Sequence, residues 1–320
     1  MTKIDIISGF LGAGKTTLIK KLITEVYQGE KLALIENEFG EINIDSGFLK
    51  DSGIQISEMS AGCICCSLVG DFSQALKEVH QQYHPDRILI EPSGVGKLSD
   101  VIAAVENTAL EEPDMRLNAY VTVADASKVK VYMKNFGEFY NNQIESADTI
   151  ILSRTQKLSQ EKLETAVTLL RGKNPDAVII TTPWDQLDGK TILAAMEKVS
   201  LADEVLEQMQ REHGEHETCE SDESLGHHHH ADEVFTSWGA ETARTYTREK
   251  LEEILTELDS GAYGAIVRAK GIVPAGGKWL HFDYVPQEHD IRFGPADYTG
   301  RICVIGSKLQ TEKIRRLFNL

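Results

Sequence analysis

Positive charge, paired cysteines and long apolar runs are all scarce in this chain of 320 residues. There are 33 Lys and Arg against 50 Asp and Glu, giving a net charge of -17. That balance argues against a protein that coats nucleic acid, because phosphate backbones are bound by basic surfaces. It leaves room for a compact phosphate site, which backbone amides and one Lys can build locally. The five cysteines are Cys63, Cys65, Cys66, Cys219 and Cys303. An odd number, with three crowded together, is no disulfide framework; it points to metal or redox chemistry in a reducing compartment. No stretch approaches the ~18 apolar residues of a membrane span. The start, Met1-Thr2-Lys3 followed by a strand broken by Asp5, lacks a signal-peptide layout. The expectation is a soluble cytoplasmic protein with neither nucleic acid nor membrane as partner. No internal repeat is visible.

What is present is alternation. β-rich apolar runs at Lys3–Ser8, Lys31–Ile35, Arg87–Ile90, Ala119–Ala124, Thr149–Leu152 and Ala177–Thr181 are separated by amphipathic stretches such as Thr16–Tyr27, Asp71–Tyr83 and Ser159–Arg171. This order predicts an α/β fold: a mainly parallel sheet flanked by helices, with ligands at the carboxyl ends of the strands. From Asp203 to Glu233, eleven acidic residues stand against one basic residue, Arg211, and the stretch also holds His213, His216 and His227 to His230. Such a segment cannot bury a core and reads as a linker. Beyond it, a helical pattern at Thr247–Leu258 with a Thr247 cap precedes β-like runs at Ala262–Ala269, Lys278–Tyr284 and Arg301–Ile305 and a last helix at Thr311–Phe318. The predicted organisation is a nucleotide-binding domain over 1–202, an acidic His-rich linker over 203–233 and a smaller α+β domain over 234–320.

Gly9-Phe10-Leu11-Gly12-Ala13-Gly14-Lys15-Thr16 matches G-x-x-x-x-G-K-[ST] between a strand and a helix, the context that makes a P-loop. Gly9, Gly12, Ala13 and Gly14 would turn backbone N–H groups toward phosphate, and Thr17 would follow them on the helix. Lys15 would neutralise the β- and γ-phosphates, and the Thr16 hydroxyl would ligate Mg²⁺. A second phosphate-side element ends another strand: Glu91-Pro92-Ser93-Gly94, with Glu91 holding the Mg²⁺ shell or a water and Gly94 admitting the γ-phosphate. Cys63-Ile64-Cys65-Cys66 offers soft thiolates for Zn²⁺, Cu⁺ or a similar ion. Its spacing suits two thiolates plus a further ligand better than three on one tetrahedral ion.

These four elements, the P-loop, the run Glu36 to Glu41, the Gly62–Cys66 cluster and Glu91-Pro92-Ser93-Gly94, occur in an order and spacing that resembles the CobW-like family of P-loop GTPases, described as metallochaperones. The resemblance covers the first domain well and extends to the family's smaller C-terminal domain. It implies GTP-dependent handling of a metal such as Zn²⁺ or Co²⁺, with a client metalloprotein as acceptor. It further implies that Cys63, Cys65 and Cys66 bind that metal and that Glu38 couples hydrolysis to its release. By position, Asp125 matches a strand-end Asp of the family. His227, His228, His229 and His230 add imidazoles suited to collecting divalent ions.

One motif is missing. GTPases normally carry N-K-x-D, whose Asp accepts from guanine N1–H and N2–H; here Ser153-Arg154-Thr155-Gln156 stands in its place. The Gln156 amide can accept from guanine or donate to adenine N1, and Arg154 can stack on the base as the usual Lys stem does. GTP is expected first, with ATP kept beside it. No arginine finger or glutamine base is evident, so intrinsic turnover should be slow. Two other readings compete: a nucleotide-gated metal buffer whose capacity lies in the His segment, and a P-loop ATPase or kinase with a thiol redox switch.

Overall fold

The structure is a computed structural model that describes residues 1–36, 55–58, 69–198 and 236–320. The chain divides into two compact units, Met1–Lys198 and Val199–Leu320. In the first, seven strands form a parallel sheet: β1 (Thr2–Gly9), β2 (Leu32–Glu36), β3 (Gln55–Glu58), β4 (Arg87–Glu91), β5 (Met115–Asp125), β6 (Thr149–Ser153) and β7 (Val178–Ile180). Their order across the sheet is β3-β2-β4-β1-β5-β6-β7. β1 is therefore central, with β4 on one side and β5 on the other. The helices are α1 (Lys15–Glu25), α2 (Val69–Tyr83), α3 (Leu98–Glu111), α4 (Val129–Asn135), α5 (Gly137–Glu145), α6 (Gln160–Arg171) and α7 (Gly189–Met196).

Spacing decides which faces pack. Ile4 and Ile6 of β1 point into one core with Phe72 and Leu76 of α2, Leu98, Val101 and Val105 of α3, and Tyr140 and Ile144 of α5. α1 buries Leu18, Ile19, Leu22 and Ile23 along one stripe and packs against α7. α7 opens on Asp188, whose carboxylate accepts from the Thr191 amide at 2.7 Å and caps the helix.

Asp5 does not break the first strand, as the sequence suggested; β1 runs through it, and Asp5 is fully buried. Its carboxylate accepts from the Arg87 guanidinium, from Tyr27 Oη at 3.2 Å and from Asn118 Nδ2 at 2.8 Å. Arg87 also bonds Glu30 at 2.9 Å and lies 4.4 Å over the Tyr27 ring. A buried charge is tolerated when paired and hydrogen-bonded, and here Arg87, Tyr27 and Asn118 supply that. At the same place the register of β1 against β5 shifts, between Ile4 and Asp5.

The second unit carries an antiparallel sheet of β8 (Thr236–Thr242), β9 (Ala265–Ala275), β10 (Lys278–Val285), β11 (Glu288–Gly294) and β12 (Gly300–Ser307), ordered β11-β10-β9-β12-β8. Helices α8 (Arg248–Glu257) and α9 (Thr311–Leu317) supply Leu251, Ile254, Leu255 and Ile314 to a core with Trp238, Phe282, Ile302 and Val304. The Thr247 hydroxyl caps α8 by accepting from the Lys250 amide at 3.1 Å. Strand β9 is longer than the run Ala262–Ala269 and passes through Gly271 and Pro274. Pro274 pairs with Trp279 of β10 and its carbonyl accepts from the Tyr246 amide at 2.8 Å, and its ring lies beside Gly300, past the point where the ladder to β12 ends at Ile272. Among the described residues, no helix is long and apolar enough to cross a membrane.

Candidate functional site

β1 delivers the chain to the middle of the sheet's carboxyl edge, and residues 10–14 turn there before α1 begins at Lys15. Gly9 sits at φ 147°, and a Cβ on it would lie 2.3 Å from the Val123 carbonyl oxygen. Gly14 is the N-cap of α1 at φ 112°. Both positions require glycine, one for space and both for left-handed backbone. A glycine cap also has no side chain to occupy the helix's first amides, which stay available to an anion at the positive end of the helix dipole. Phe10 anchors the loop from below, its ring 4.8 Å from Tyr132 and 5.0 Å from Phe136. Ala13 is buried, and its N–H donates to the Phe10 carbonyl at 3.1 Å, closing the loop's own turn. Thr17 is exposed on the first turn of α1, and Gly12 is exposed at φ 67°.

Lys15, Thr16 and Glu91 are brought together. Lys15 is largely buried with Nζ 3.7 Å from Glu91 Oε1. Thr16 Oγ1 lies 3.4 and 3.3 Å from the two Glu91 oxygens. A hydroxyl and a carboxylate side by side are hard oxygen donors of the kind Mg²⁺ takes. Glu36 stands level with Glu91 on the adjoining strand β2. The signal that singled out Glu91, an acid closing an apolar strand, marks Glu36 as well.

The loop after β4 abuts the phosphate loop. A Cβ on Gly94 would lie 3.0 Å from the Leu11 amide nitrogen and 2.8 Å from Leu11 Cδ2. Its turn is closed by the Gly96 amide donating to the Ser93 carbonyl at 2.9 Å. From α5, the fully buried Gln143 clamps that turn, donating to the carbonyls of Gly94 at 3.2 Å and Gly96 at 2.9 Å. Thr122 Oγ1 donates to the Gln143 carbonyl at 2.7 Å and completes the link to β5. No local pattern around Gln143 announces this role.

On the other side of β1, Asp125 ends β5 in a buried position. It accepts from the Ser127 amide at 3.0 Å and hydroxyl at 2.6 Å, and from the Arg154 guanidinium. Burial pushes the Asp125 carboxyl up, but the Ser127 bonds and Arg154 outweigh it and hold the group below its ordinary value. Arg154 also donates to the Gly12 carbonyl at 2.9 Å, so its charge joins β5, β6 and the phosphate loop. Ser153 is buried beside Gly14, and Gln156 is exposed on the single turn Thr155–Lys157. Trp184, which the sequence reading passed over, places its ring 3.3 Å from where a Gly14 Cβ would be and donates its indole N–H to the Leu152 carbonyl at 3.0 Å. Glu38, Cys63, Cys65, Cys66, His227, His228, His229 and His230 lie outside the described residues, as do the whole of the expected linker 203–233 and with it Cys219. Among the described residues, no group of three or more His, Cys, Asp or Glu side chains could hold a metal ion.

Residues 3–181 match the CobW/HypB/UreG nucleotide-binding domain, and residues 235–319 match the cobalamin synthesis protein cobW C-terminal domain. The zinc chaperone YeiR of Escherichia coli is 31% identical over 189 residues, covering 59% of this chain and 57% of that protein. The zinc chaperone YjiA of the same organism is 30% identical over 178 residues, covering 54% and 55%. The chain thus spans a little over half the length of these two curated relatives. Zinc-regulated GTPase metalloprotein activator 1 of Dictyostelium discoideum is 24% identical over 311 residues, covering 84% and 62%. Among solved structures, the Zn(II)-bound YjiA GTPase from E. coli aligns over 99% of this chain and 98% of that one, with TM-score 0.47 and 20% identity.

Proposed function

The chain belongs to the CobW/HypB/UreG nucleotide-binding domain family, and from that membership we propose that it hydrolyses GTP and uses the cycle to hand a transition metal, zinc or cobalt, to a client metalloprotein in the cytoplasm. The observation that carries the nucleotide half is the meeting of Lys15 and Thr16 with Glu91 at the mouth of a loop closed by Gly9 and Gly14. Zinc stands first as cargo because the relatives YeiR and YjiA are zinc chaperones.

In the proposed cycle the amides at the start of α1 and the Lys15 ammonium take the β- and γ-phosphate charge. Lys15 leaves Glu91 to do so. Thr16 and Glu91 would hold Mg²⁺, which supplies neutralisation of the charge that grows on the phosphate oxygens. Gly94, pressed on Leu11, sets the γ-phosphate side of the site, and Gln143 keeps that turn in place. Glu36 extends the acidic rim beside Glu91, and Glu38 couples hydrolysis to metal release. Cys63, Cys65 and Cys66 form the cargo site. Residues 203–233 link the two domains, and His227 to His230 gather metal for the thiolates.

The test separates this reading from a nucleotide-gated buffer. Zinc and cobalt are titrated into the parent chain, the Cys63→Ala/Cys65→Ala/Cys66→Ala variant and a deletion of residues 213–230, with GTP hydrolysis followed in each. The proposal expects the triple variant to lose tight binding and the metal response of hydrolysis. Unchanged tight binding in that variant, with most capacity lost in the deletion, would support the buffer instead.

A further inference from the structure

Glu91 lies on the β4 side of the phosphate loop, while Arg154, Gln156 and Trp184 lie on the β6 and β7 side. A triphosphate whose γ end meets Glu91 therefore carries its base toward Gln156 and Trp184. That end is firmly built. Arg154 holds left-handed backbone at φ 60°, a conformation a non-glycine residue keeps only where its surroundings enforce it. Its guanidinium is held twice, on Asp125 and on the Gly12 carbonyl. Trp184 walls the start of α1 and is fixed by its indole bond to Leu152. Beside it the hydroxyls of Ser153 and Thr155 are buried without a hydrogen-bond partner. The Gln156 amide is exposed at the fourth position of Ser153-Arg154-Thr155-Gln156 and makes no hydrogen bond among the described residues.

A carboxylate at that fourth position only accepts, which favours the N1–H and N2–H donors of guanine and repels the lone pair on adenine N1. A primary amide carries one acceptor and two donors on a terminal torsion with a broad, two-fold profile. Turned one way its oxygen meets guanine N1–H; turned the other its nitrogen meets adenine N1. With Arg154 held on Asp125 and Gly12, the residue at this position, Gln156, brings no charge of its own to break the tie. We infer that Gln156 makes the base end of this site purine-tolerant, so that GTP and ATP bind with similar affinity, set by shape against Trp184 and by one neutral amide. The inference rests on the nucleotide site proposed above.

Calorimetry on the full chain with Mg²⁺ tests it, using GTP, ATP, ITP and UTP. The parent is expected to bind GTP and ATP within about tenfold of each other and UTP more weakly. Gln156→Asp should widen the GTP-to-ATP ratio by about ten- to a hundredfold, the worth of a hydrogen bond to a charged group. In that variant ITP should fall behind GTP, because the carboxylate alone rewards the N2 amine. Gln156→Ala should weaken both purines and leave their ratio unchanged. A parent ratio beyond a hundredfold, a Gln156→Asp ratio equal to the parent's, or UTP binding as tightly as the purines would each overturn the assignment. If GTP binds tightly and ATP does not, only this inference falls. If no triphosphate binds, or Lys15→Ala binds them all as the parent does, the underlying site falls with it.

Discussion

Replacing Glu91 with Gln changes one atom type and removes one charge, and the consequences have opposite signs with and without magnesium. Glu91 lies 3.7 Å from the Lys15 ammonium, both side chains being mostly buried. At an effective dielectric of ~20 that attraction is worth about 4 kcal/mol before the desolvation of both ions is subtracted, which removes most of it. When a triphosphate arrives, Lys15 turns to the phosphates, and Glu91 faces new negative charge unless a cation sits between. Glu91→Gln should therefore bind GTP more tightly than the parent in excess EDTA, by up to about tenfold, or ~1.4 kcal/mol. With Mg²⁺ present the order reverses. The metal loses a charged ligand beside Thr16, and its enhancement of GTP affinity should shrink by about ten- to a hundredfold. Single-turnover hydrolysis should slow by about a hundredfold or more, the usual effect of removing one preorganised electrostatic group. Paired titrations in EDTA and in Mg²⁺ read both signs from one variant. A magnesium enhancement within twofold of the parent's would refute the placement of Glu91 at the metal, whatever happened to the rate.

Gly94→Ala drives a methyl group against the Leu11 amide and side chain, where 2.8–3.0 Å separations leave no room. Hydrolysis should fall about tenfold or more through sub-ångström displacement of the phosphate loop, with a loss of stability of about 1–3 kcal/mol, measured by steady-state rate and thermal melting. Arg87→Met strands the buried Asp5 carboxylate and should cost about 3–5 kcal/mol in urea unfolding, while Asp5→Asn/Arg87→Met should recover most of that loss. An equal cost in the single and double variants would show that packing, not charge, dominates. Asp125 has a folded-state carboxyl held below its ordinary value, so its stabilising contribution is complete above about pH 5 and is lost as pH falls through the folded value. The unfolding free-energy gap between the parent and Asp125→Asn should stay constant from pH 7 to 5 and narrow below about pH 4; a gap that widens in acid would contradict the Ser127 and Arg154 bonds.

What sequence alone conveyed follows from how local the physics was. The turn from β1 into α1 was legible because glycine spacing, a strand and a helix start all lie within two dozen residues. Strands β4 and β6 were legible because they are continuous apolar runs buried on both faces. β3, with one apolar residue in Gln-Ile-Ser-Glu, and β11, rich in charge, were not, because pairing with β2 and β10 makes them strands. Asp5 was misread for the same reason: its partner Arg87 lies 82 positions away. Gln143 was invisible because only the packing of α5 carries it to the turn at Ser93 to Gly96. Glu36, by contrast, was there to be read by the rule that found Glu91.

The chain has 3 tryptophans, and they divide between the units. Trp238 and Trp279 are buried in the second, while Trp184 belongs to the first and touches the rim of the phosphate loop. Changing Trp238 and Trp279 to phenylalanine would leave a single indole chromophore, placed against Gly14 and bonded to the Leu152 carbonyl. Nucleotide arrival and departure could then be followed optically in real time, with no dye attached and no label on the ligand.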